Sequence, residues 1–203
     1  MMTPEQVIKI IIIFFYAVIL HECAHGWVAY KLGDSTAKVS GRLTLNPLRH
    51  VDPVGTIVLP VLLFLLPSPV IFGWAKPVPV NFLALRHPKR DMMLVALAGP
   101  LVNIMLAVLL SFLLKGNVSS SDHQVLQMAV EINLVLALFN MIPIPPLDGS
   151  RVVMGLLPSK SAYAYAQLER YGVVIVFVLL YFGLLNRVVW PLVEFFKHLL
   201  GIN

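Results

Sequence analysis

Two histidines and a glutamate near the N-terminus have a spacing that could hold a metal ion and activate water. His21, Glu22 and His25 fit the pattern H-E-x-x-H. Positions i and i+4 lie on one face of an α-helix, so His21 and His25 could bind one metal ion together. Glu22 lies beside them and could take a proton from a water molecule that the metal activates. The pattern predicts this chemistry only if the segment is helical.

The motif lies in an apolar run that extends to about Tyr30, after Pro4 and Glu5, which suit the first turn of a helix. The run is long enough to span a hydrocarbon core of about 30 Å. Backbone polar groups in lipid must be satisfied within the segment, so a helix is the expected structure. Ionisable side chains in a membrane are costly and usually functional, which makes merely structural interior histidines the less favoured alternative.

A catalytic zinc site needs a third protein ligand and an open position for water. Asp148 is the best candidate, because the prolines before it would break a helix and Gly149 would allow a tight turn beside a ligand. The alternative for Asp148 is a turn or helix-capping aspartate. A glutamate ligand would have to be Glu131 or Glu169, and neither lies in a matching motif. Cys23 is turned away from the histidine face and is predicted to be a packing residue.

The composition is that of a membrane protein. Of the 203 residues, 59% are hydrophobic and only 12% are charged, about half the charged share of a soluble domain. The net charge of +5 does not indicate a nucleic-acid partner, because the basic residues lie in short loops between apolar blocks, where they orient membrane proteins. The single cysteine excludes an intrachain disulfide.

The apolar runs predict an all-α polytopic membrane protein with about four full transmembrane helices. After the first helix, the runs cover residues 54–72, 92–114, 124–144 and 171–185. The run at 54–72 contains three prolines and is expected to re-enter the bilayer without crossing it. We expect a single domain over residues 1–203, with a core at about 5–157 and a C-terminal helix and tail at 162–203. The tail either lies at the interface or continues the bundle.

Residues 37–46 alternate between apolar and polar side chains, which predicts a strand or a short cytoplasmic β-hairpin. This segment would either pair with an extended substrate by strand addition or cover the cytoplasmic mouth. His50 and Asp52 follow it. They could form a second metal pair or a gate, and the favoured alternative is a capped turn between strand and helix.

At these residues the sequence resembles the site-2 protease family of intramembrane zinc metalloproteases, peptidase family M50. The resemblance rests on H-E-C-A-H in the first helix, on A-G-P at 98–100, and on Asn140 followed by P-P-L-D-G at 145–149. Two further stretches, at 41–56 and 73–81, resemble its minimal bacterial branch. In contrast to better-known branches, we expect no PDZ domain, no CBS domain and no helix before the motif.

The resemblance implies that His21, His25 and Asp148 bind one zinc ion per chain and that Glu22 is catalytic. It implies hydrolysis of peptide bonds within or near the transmembrane segments of membrane protein substrates, by a multi-pass protein of the cell membrane. The expected partners are a substrate with a transmembrane helix and the lipid bilayer. The oligomeric state is not predicted.

In the expected reaction, Glu22 takes a proton from a zinc-activated water and delivers it to the leaving amine. The developing oxyanion needs a further hydrogen-bond donor, and Asn140, about two helical turns before Asp148, is the first candidate. Its alternative role is a hydrogen bond between helices. Asn103 and Asn133 are weaker candidates, for which packing hydrogen bonds are favoured.

The sequence favours two other functions less. A metal transporter would need ligands stepped along the depth of the bundle, whereas the ligands expected here cluster at one level. An inactive relative acting as a binding scaffold would not need Glu22, which is intact.

The ligand positions also predict the topology. His25 and Asp148 both lie near the C-terminal ends of their runs, so a shared metal requires the first and fourth runs to be parallel. Residues 31–53, 73–91 and 147–170 would then share one side, and they hold eleven of the fifteen Lys and Arg residues. The positive-inside rule makes that side the cytoplasm, with the N-terminus outside and the active site nearer the cytoplasmic face.

Overall fold

The computed structural model describes residues 3–65, 75–116 and 118–202. This part of the chain is mostly helical and contains no β-strand. Its α-helices are α1 (Pro4–Lys31), α2 (Thr36–Val39), α3 (Leu59–Leu65), α4 (Pro88–Leu114), α5 (Ser120–Asn140), α6 (Asp148–Leu156), α7 (Ser159–Ala166), α8 (Glu169–Tyr181) and α9 (Trp190–Leu200). Short 3₁₀ turns cover Pro47–Arg49 and Phe82–Ala84, and π-helical turns cover Pro53–Val58 and Leu185–Val189.

The start of α1 is fixed by a capping box. The Thr3 hydroxyl accepts the N–H of Gln6, and the Gln6 side chain accepts the N–H of Thr3. Pro4 occupies the first helical position, where no backbone donor is needed. The helix ends before Gly33, whose φ of +116° places the backbone in a region that glycine tolerates.

The helix directions place the N-terminal ends of α1 and α5 on one side. Lys9 in α1 forms an ion pair with Asp122 in the first turn of α5, at 3.0 Å. At the other end, His21 of α1 meets Asp148, which follows α5. The helices α1 and α5 therefore run in parallel, as predicted. The helix α4 runs antiparallel to them and packs against α1, α5 and α6.

The predicted count of about four full spans is not supported. Among the described residues, α1 and α4 are long and apolar enough to cross a membrane, and a third span results only if α7 and α8, bent by 62°, count as one. The helix α5 has 21 residues but is less apolar, because it carries polar side chains such as Asp122 and Glu131. The helix α8 has 13 residues, about 20 Å at 1.5 Å per residue, which is shorter than a hydrocarbon core.

The C-terminal tail continues the bundle. Lys197 of α9 forms an ion pair with Glu131 of α5, at 2.7 Å. Val189 and Val193 are buried in a core cluster with Leu134 of α5. This pairing places a charged residue of α5 beside its counter-ion, so the cost of burying both is reduced.

The predicted strand or hairpin at 37–46 is wrong, because the segment begins as a helical turn. Asp34 accepts the N–H of Thr36 at 2.9 Å and so starts α2. The chain then reverses, with the N–H of Arg42 on the carbonyl of Ala37. Ala37 is fully buried whereas Val39 is 83% exposed, so the alternating apolar residues do not share one face.

Asp34 also ties the end of α1 to the loop before α4. Its carboxylate accepts the N–H of Asn81 at 2.7 Å and the hydroxyl of Thr36. Burial alone would raise the pKa of Asp34, but the hydrogen bonds from Thr36 and Asn81 outweigh it and hold the pKa below its ordinary value. The charged carboxylate therefore stabilises this junction.

Two residues that flank the segment predicted to be re-entrant, His50 and Lys76, lie together. The N–H of Lys76 donates to the carbonyl of His50 at 2.9 Å. Between them, residues 53–65 are helical, and residues 66–74 lie outside the described part of the chain. The prediction for 54–72 therefore falls partly on residues that the structure does not describe.

Replacing Gly172 by alanine should destabilise the fold. A Cβ at this position would lie 2.3 Å from the carbonyl oxygen of Pro145 and 2.9 Å from Cδ of Pro146. Since the nearest atoms are backbone, the helix must shift, at a cost of about 1–3 kcal/mol. Thermal unfolding of the detergent-solubilised protein measures the effect. The matched control is Val173→Ala, at a neighbouring exposed position; equal melting temperatures for the two variants would contradict the prediction.

Candidate metal centre

The fold brings His21 and His25 of α1 together with Asp148, the first residue of α6. The Nε2 atoms of His21 and His25 lie 3.1 Å and 3.2 Å from the same carboxylate oxygen, Oδ2 of Asp148. All three ligand atoms lie within 4.8 Å of one another. Within the described residues, this is the one group of three or more His, Cys, Asp or Glu side chains that converges in this way.

The local sequence explains why Asp148 reaches the histidines. The helix α5 ends at Asn140, and the proline-containing segment before Asp148 turns the chain back toward α1. Gly149 lies against the end of α5: a Cβ there would be 2.2 Å from the carbonyl oxygen of Met141. Gly149 lies in the first turn of α6 rather than in the tight turn that the sequence predicts, and glycine is required there by a close backbone approach.

The second nitrogen of His25 fixes which ring atom can bind a metal. Nδ1 of His25 lies 2.7 Å from the carbonyl oxygen of Val95 in α4. A carbonyl can only accept, so the ring proton belongs on Nδ1 and the lone pair of Nε2 points toward Asp148. Such a hydrogen bond to the non-ligating nitrogen is a usual feature of metal-binding histidines.

Asn103 fixes the ring proton of His21 on Nδ1 in the same way. Its Oδ1 lies 2.6 Å from Nδ1 of His21. The amide group of Asn103 donates to the carbonyl of Ala17 and to Oδ1 of Asn133, which leaves Oδ1 as the atom that accepts from the ring. Asn103 is completely buried. The sequence favoured a packing hydrogen bond for Asn103; the structure gives it a position next to the metal-binding face.

These contacts test whether the site fits a metal ion. With both ring protons on Nδ1, two nitrogen lone pairs and a carboxylate oxygen converge, an arrangement that suits a metal cation. Gly99 of α4 provides space, because a Cβ there would lie 2.4 Å from Nε2 of His25 and 2.5 Å from Nε2 of His21. Two imidazoles and one carboxylate are a ligand set of catalytic zinc sites. The residues fit zinc.

Glu22 and Asn140 share a cavity of about 300 Å³ with the three metal-binding candidates. Glu22 is partly buried, and its Oε2 accepts the N–H of Val78 at 2.8 Å. The amide of Asn140 donates to the carbonyl of Leu136 in its own helix, at 2.9 Å. Within the described residues, Asn140 therefore bonds inside its own helix and does not form the alternative, a hydrogen bond between helices.

The rival third ligands lie elsewhere. The Cys23 thiol donates to the carbonyl of Thr44 at 3.2 Å, in keeping with the predicted packing role. Glu131 pairs with Lys197, and Glu169 pairs with Arg151.

His50 and Asp52 form no metal pair in the described structure. Nε2 of His50 lies 2.8 Å from the carbonyl of Thr44. Asp52 accepts the N–H groups of Val54 and Gly55 and so caps the helical turn that follows. The structure agrees with the favoured alternative, a capped turn.

Comparison with known proteins gives consistent matches. The sequence model of peptidase family M50 matches residues 116–183. The Bacillus subtilis (strain 168) protein named "Putative zinc metalloprotease YwhC" is 40% identical over 201 residues, covering 94% of this chain and 86% of that protein. "Putative zinc metalloprotease Rip2" of Mycolicibacterium smegmatis is 32% identical, covering 91% of this chain and 71% of that protein.

A more distant relative is "Zinc metalloprotease MJ0392" of Methanocaldococcus jannaschii, which is 25% identical over 92% of this chain and 46% of that protein. No solved structure matches. The identity to YwhC extends over nearly the whole of both chains, and so this chain belongs to peptidase family M50.

Proposed function

We propose that this M50 peptidase is an intramembrane zinc metalloprotease that hydrolyses peptide bonds within or near transmembrane segments of membrane protein substrates. One observation carries the proposal: His21 and His25 lie with Glu22 on a helix of membrane length, and Asp148 of α6 converges with the two histidines. Glu22 provides a base that metal transport would not require. The catalytic unit proposed is a single domain over residues 1–203.

His21, His25 and Asp148 are the proposed zinc ligands. Zinc held by these three groups supplies a Lewis acid that polarises a peptide carbonyl and makes water nucleophilic near neutral pH. Both histidines are buried, at 5% and 8% exposure, so bulk water is largely excluded from the side of the site formed by α1 and α4. The histidine rings are held in place by Val95 and Asn103.

Glu22 is the proposed general base. Its Oε2 is held by Val78, and its Oε1 has no hydrogen bond within the described residues, so Oε1 can accept a proton from the attacking water. The same oxygen can then deliver that proton to the leaving amine. Asn140 is the proposed additional oxyanion donor, because only one hydrogen of its amide is engaged with Leu136.

The substrate is proposed to be a membrane protein with a transmembrane helix. The two histidine ligands lie toward the C-terminal end of α1 and contact Val95 and Asn103 of α4. Both α1 and α4 are of membrane length. A helical substrate hides its peptide bonds in its own hydrogen-bond ladder, so it must be unwound locally before Glu22 and the zinc site can act. The cavity beside the ligands is the proposed place for the unwound segment.

The proposed location is the cell membrane, with the active site nearer the cytoplasmic face. The parallel direction of α1 and α5 supports the predicted topology, in which residues 31–53, 73–91 and 147–170 lie on one side. The concentration of Lys and Arg in these segments supports a cytoplasmic position for that side. The segment at 54–72 is proposed to re-enter without crossing.

Glu22→Gln should keep zinc and lose proteolysis, because an amide cannot accept the proton while all three proposed ligands remain. Rates should fall by at least about a hundredfold, the range expected for loss of a general base. Cleavage of a co-expressed membrane substrate, with zinc content measured on the same purified protein, tests this. Cleavage at a near-normal rate would remove Glu22 from the base role.

Gly99→Ala should reduce zinc binding as strongly as Asp148→Ala, although Gly99 carries no ligand atom. The new methyl group would occupy the space beside both Nε2 atoms. Metal analysis after dialysis against a weak chelator should find well under one equivalent in each variant. The matched control is Gly116→Ala, far from the ligands in sequence, where the added methyl would meet the carbonyl oxygen of Leu113 at 3.3 Å. Full zinc in Gly99→Ala would contradict the assigned geometry.

Labelling of single cysteines in a Cys23→Ser background tests the topology. Cysteines at Ala75 and Arg86 should be protected from a membrane-impermeant maleimide in intact cells, whereas a cysteine at Ser120 should react. All three should react once the membrane is permeabilised. If position 75 or 86 reacts from outside together with position 120, the re-entrant arrangement is wrong.

A further inference from the structure

The hydrogen bond on Glu22 comes from residues 75–81, a segment outside the helices that passes beside α1. Val78 lies between Pro77 and Pro79. Proline has no backbone N–H, so Val78 offers the one backbone donor in this tripeptide. The side chain of Val78 is buried against Gly26 of α1, which fixes the segment at the level of the active site.

The same peptide group that bonds Glu22 also contacts a buried cation. Nη2 of Arg42 donates to the carbonyl oxygen of Pro77 at 3.2 Å and to that of Lys76 at 2.6 Å. The Pro77 carbonyl and the Val78 N–H belong to one peptide bond. This peptide bond therefore lies between the guanidinium of Arg42 on its oxygen side and the carboxylate of Glu22 on its hydrogen side.

The charges at the two ends reinforce each other. Hydrogen bonds with an ionised partner are stronger than neutral ones, and a chain of hydrogen bonds polarises its members in a low-dielectric surrounding. Arg42 is only 8% exposed, and within the described residues it forms no ion pair with a carboxylate. A buried charge is costly unless it is compensated. The polarised peptide bond connects Arg42 to the nearby negative charge of Glu22.

We propose that Arg42 and the Pro77–Val78 peptide bond form a positioning relay that holds the carboxylate of Glu22 for catalysis. Arg42 is a positioning residue in this relay, since it acts on Glu22 through the peptide group. The relay occupies Oε2 and leaves Oε1 for the proton, which selects one orientation of the carboxylate. This inference rests on the proposed base role of Glu22.

The first experiment compares Arg42→Met, Arg42→Lys and the control Arg49→Met, which changes an exposed arginine of the same loop. Cleavage of a peptide substrate should show kcat lowered about tenfold to a hundredfold in Arg42→Met, as for other groups that orient catalytic residues. KM and zinc content should be unchanged. Arg42→Lys keeps a cation and should recover most of kcat, and Arg49→Met should match the wild type.

The second experiment observes the relay without relying on activity. Zinc-free protein labelled with ¹⁵N-valine in detergent gives an amide proton signal for Val78, which is identified by its loss in Val78→Ala. A hydrogen bond to a carboxylate shifts this signal downfield. Glu22→Gln and Arg42→Met should each move it upfield, while Arg49→Met should leave it in place.

The outcomes separate the relay from the proposed function. Proteolysis by Glu22→Gln would defeat the base role itself. An inactive Glu22→Gln together with wild-type kcat in Arg42→Met would overturn the relay and leave the function intact. Equal loss of kcat in Arg42→Lys and Arg42→Met would also overturn it, because the cation would then be irrelevant. If Arg42→Met does not fold, the amide proton signal of Val78 is compared between Glu22→Gln and the wild type. An unchanged chemical shift would overturn the relay.

Discussion

Three electron-rich atoms, two imidazole nitrogens and one carboxylate oxygen, meet at about hydrogen-bond distance in a buried place. With the ring protons on the opposite nitrogens, a metal cation would hold these three atoms together. This constraint explains why α1 and the start of α6 must be held in register. It also explains why the chain after α5 turns back toward α1, with Gly149 pressed against the end of α5.

The helix α4 provides no ligand, yet it supplies much of what orients the ligands. Val95 accepts from His25, Gly99 leaves room beside both histidines, and Asn103 accepts from His21. These three residues are spaced by four, so they share one face of α4. A close helix pair in a membrane usually has small residues at the contact; here the small residue also makes space for the metal ion.

The parts of the site that could be read from the sequence are those set by local spacing. His21 and His25 share a helix face because they are one turn apart, and a membrane segment has to be helical, so their proximity followed directly. The convergence of Asp148 with them also matched the expectation, because proline and glycine mark a break in the helix. The role of Asn103 depends on which helix faces α1. A single sequence does not indicate which residues of different helices are in contact.

The errors have a similar origin. The alternation at 37–46 has the period of a strand, but the carboxylate of Asp34 and the burial of Ala37 impose a helical turn. The count of four spans treated each apolar run as independent, whereas α5 carries a glutamate that is paired with α9. The helical turn depends on a hydrogen bond between residues two apart and on the burial of Ala37, and the pairing of α5 with α9 is a contact between distant residues. The apolar pattern by itself predicts neither of them.

The proposed function depends most on the identity of the atoms that surround the metal ion. X-ray absorption at the zinc edge of the purified wild-type protein measures them directly. The structure predicts one zinc ion per chain with two imidazole ligands and one carboxylate, at about 2.0–2.2 Å, and no sulfur neighbour. A sulfur shell at about 2.3 Å, which would bring Cys23 into the site, or a single imidazole, would contradict it.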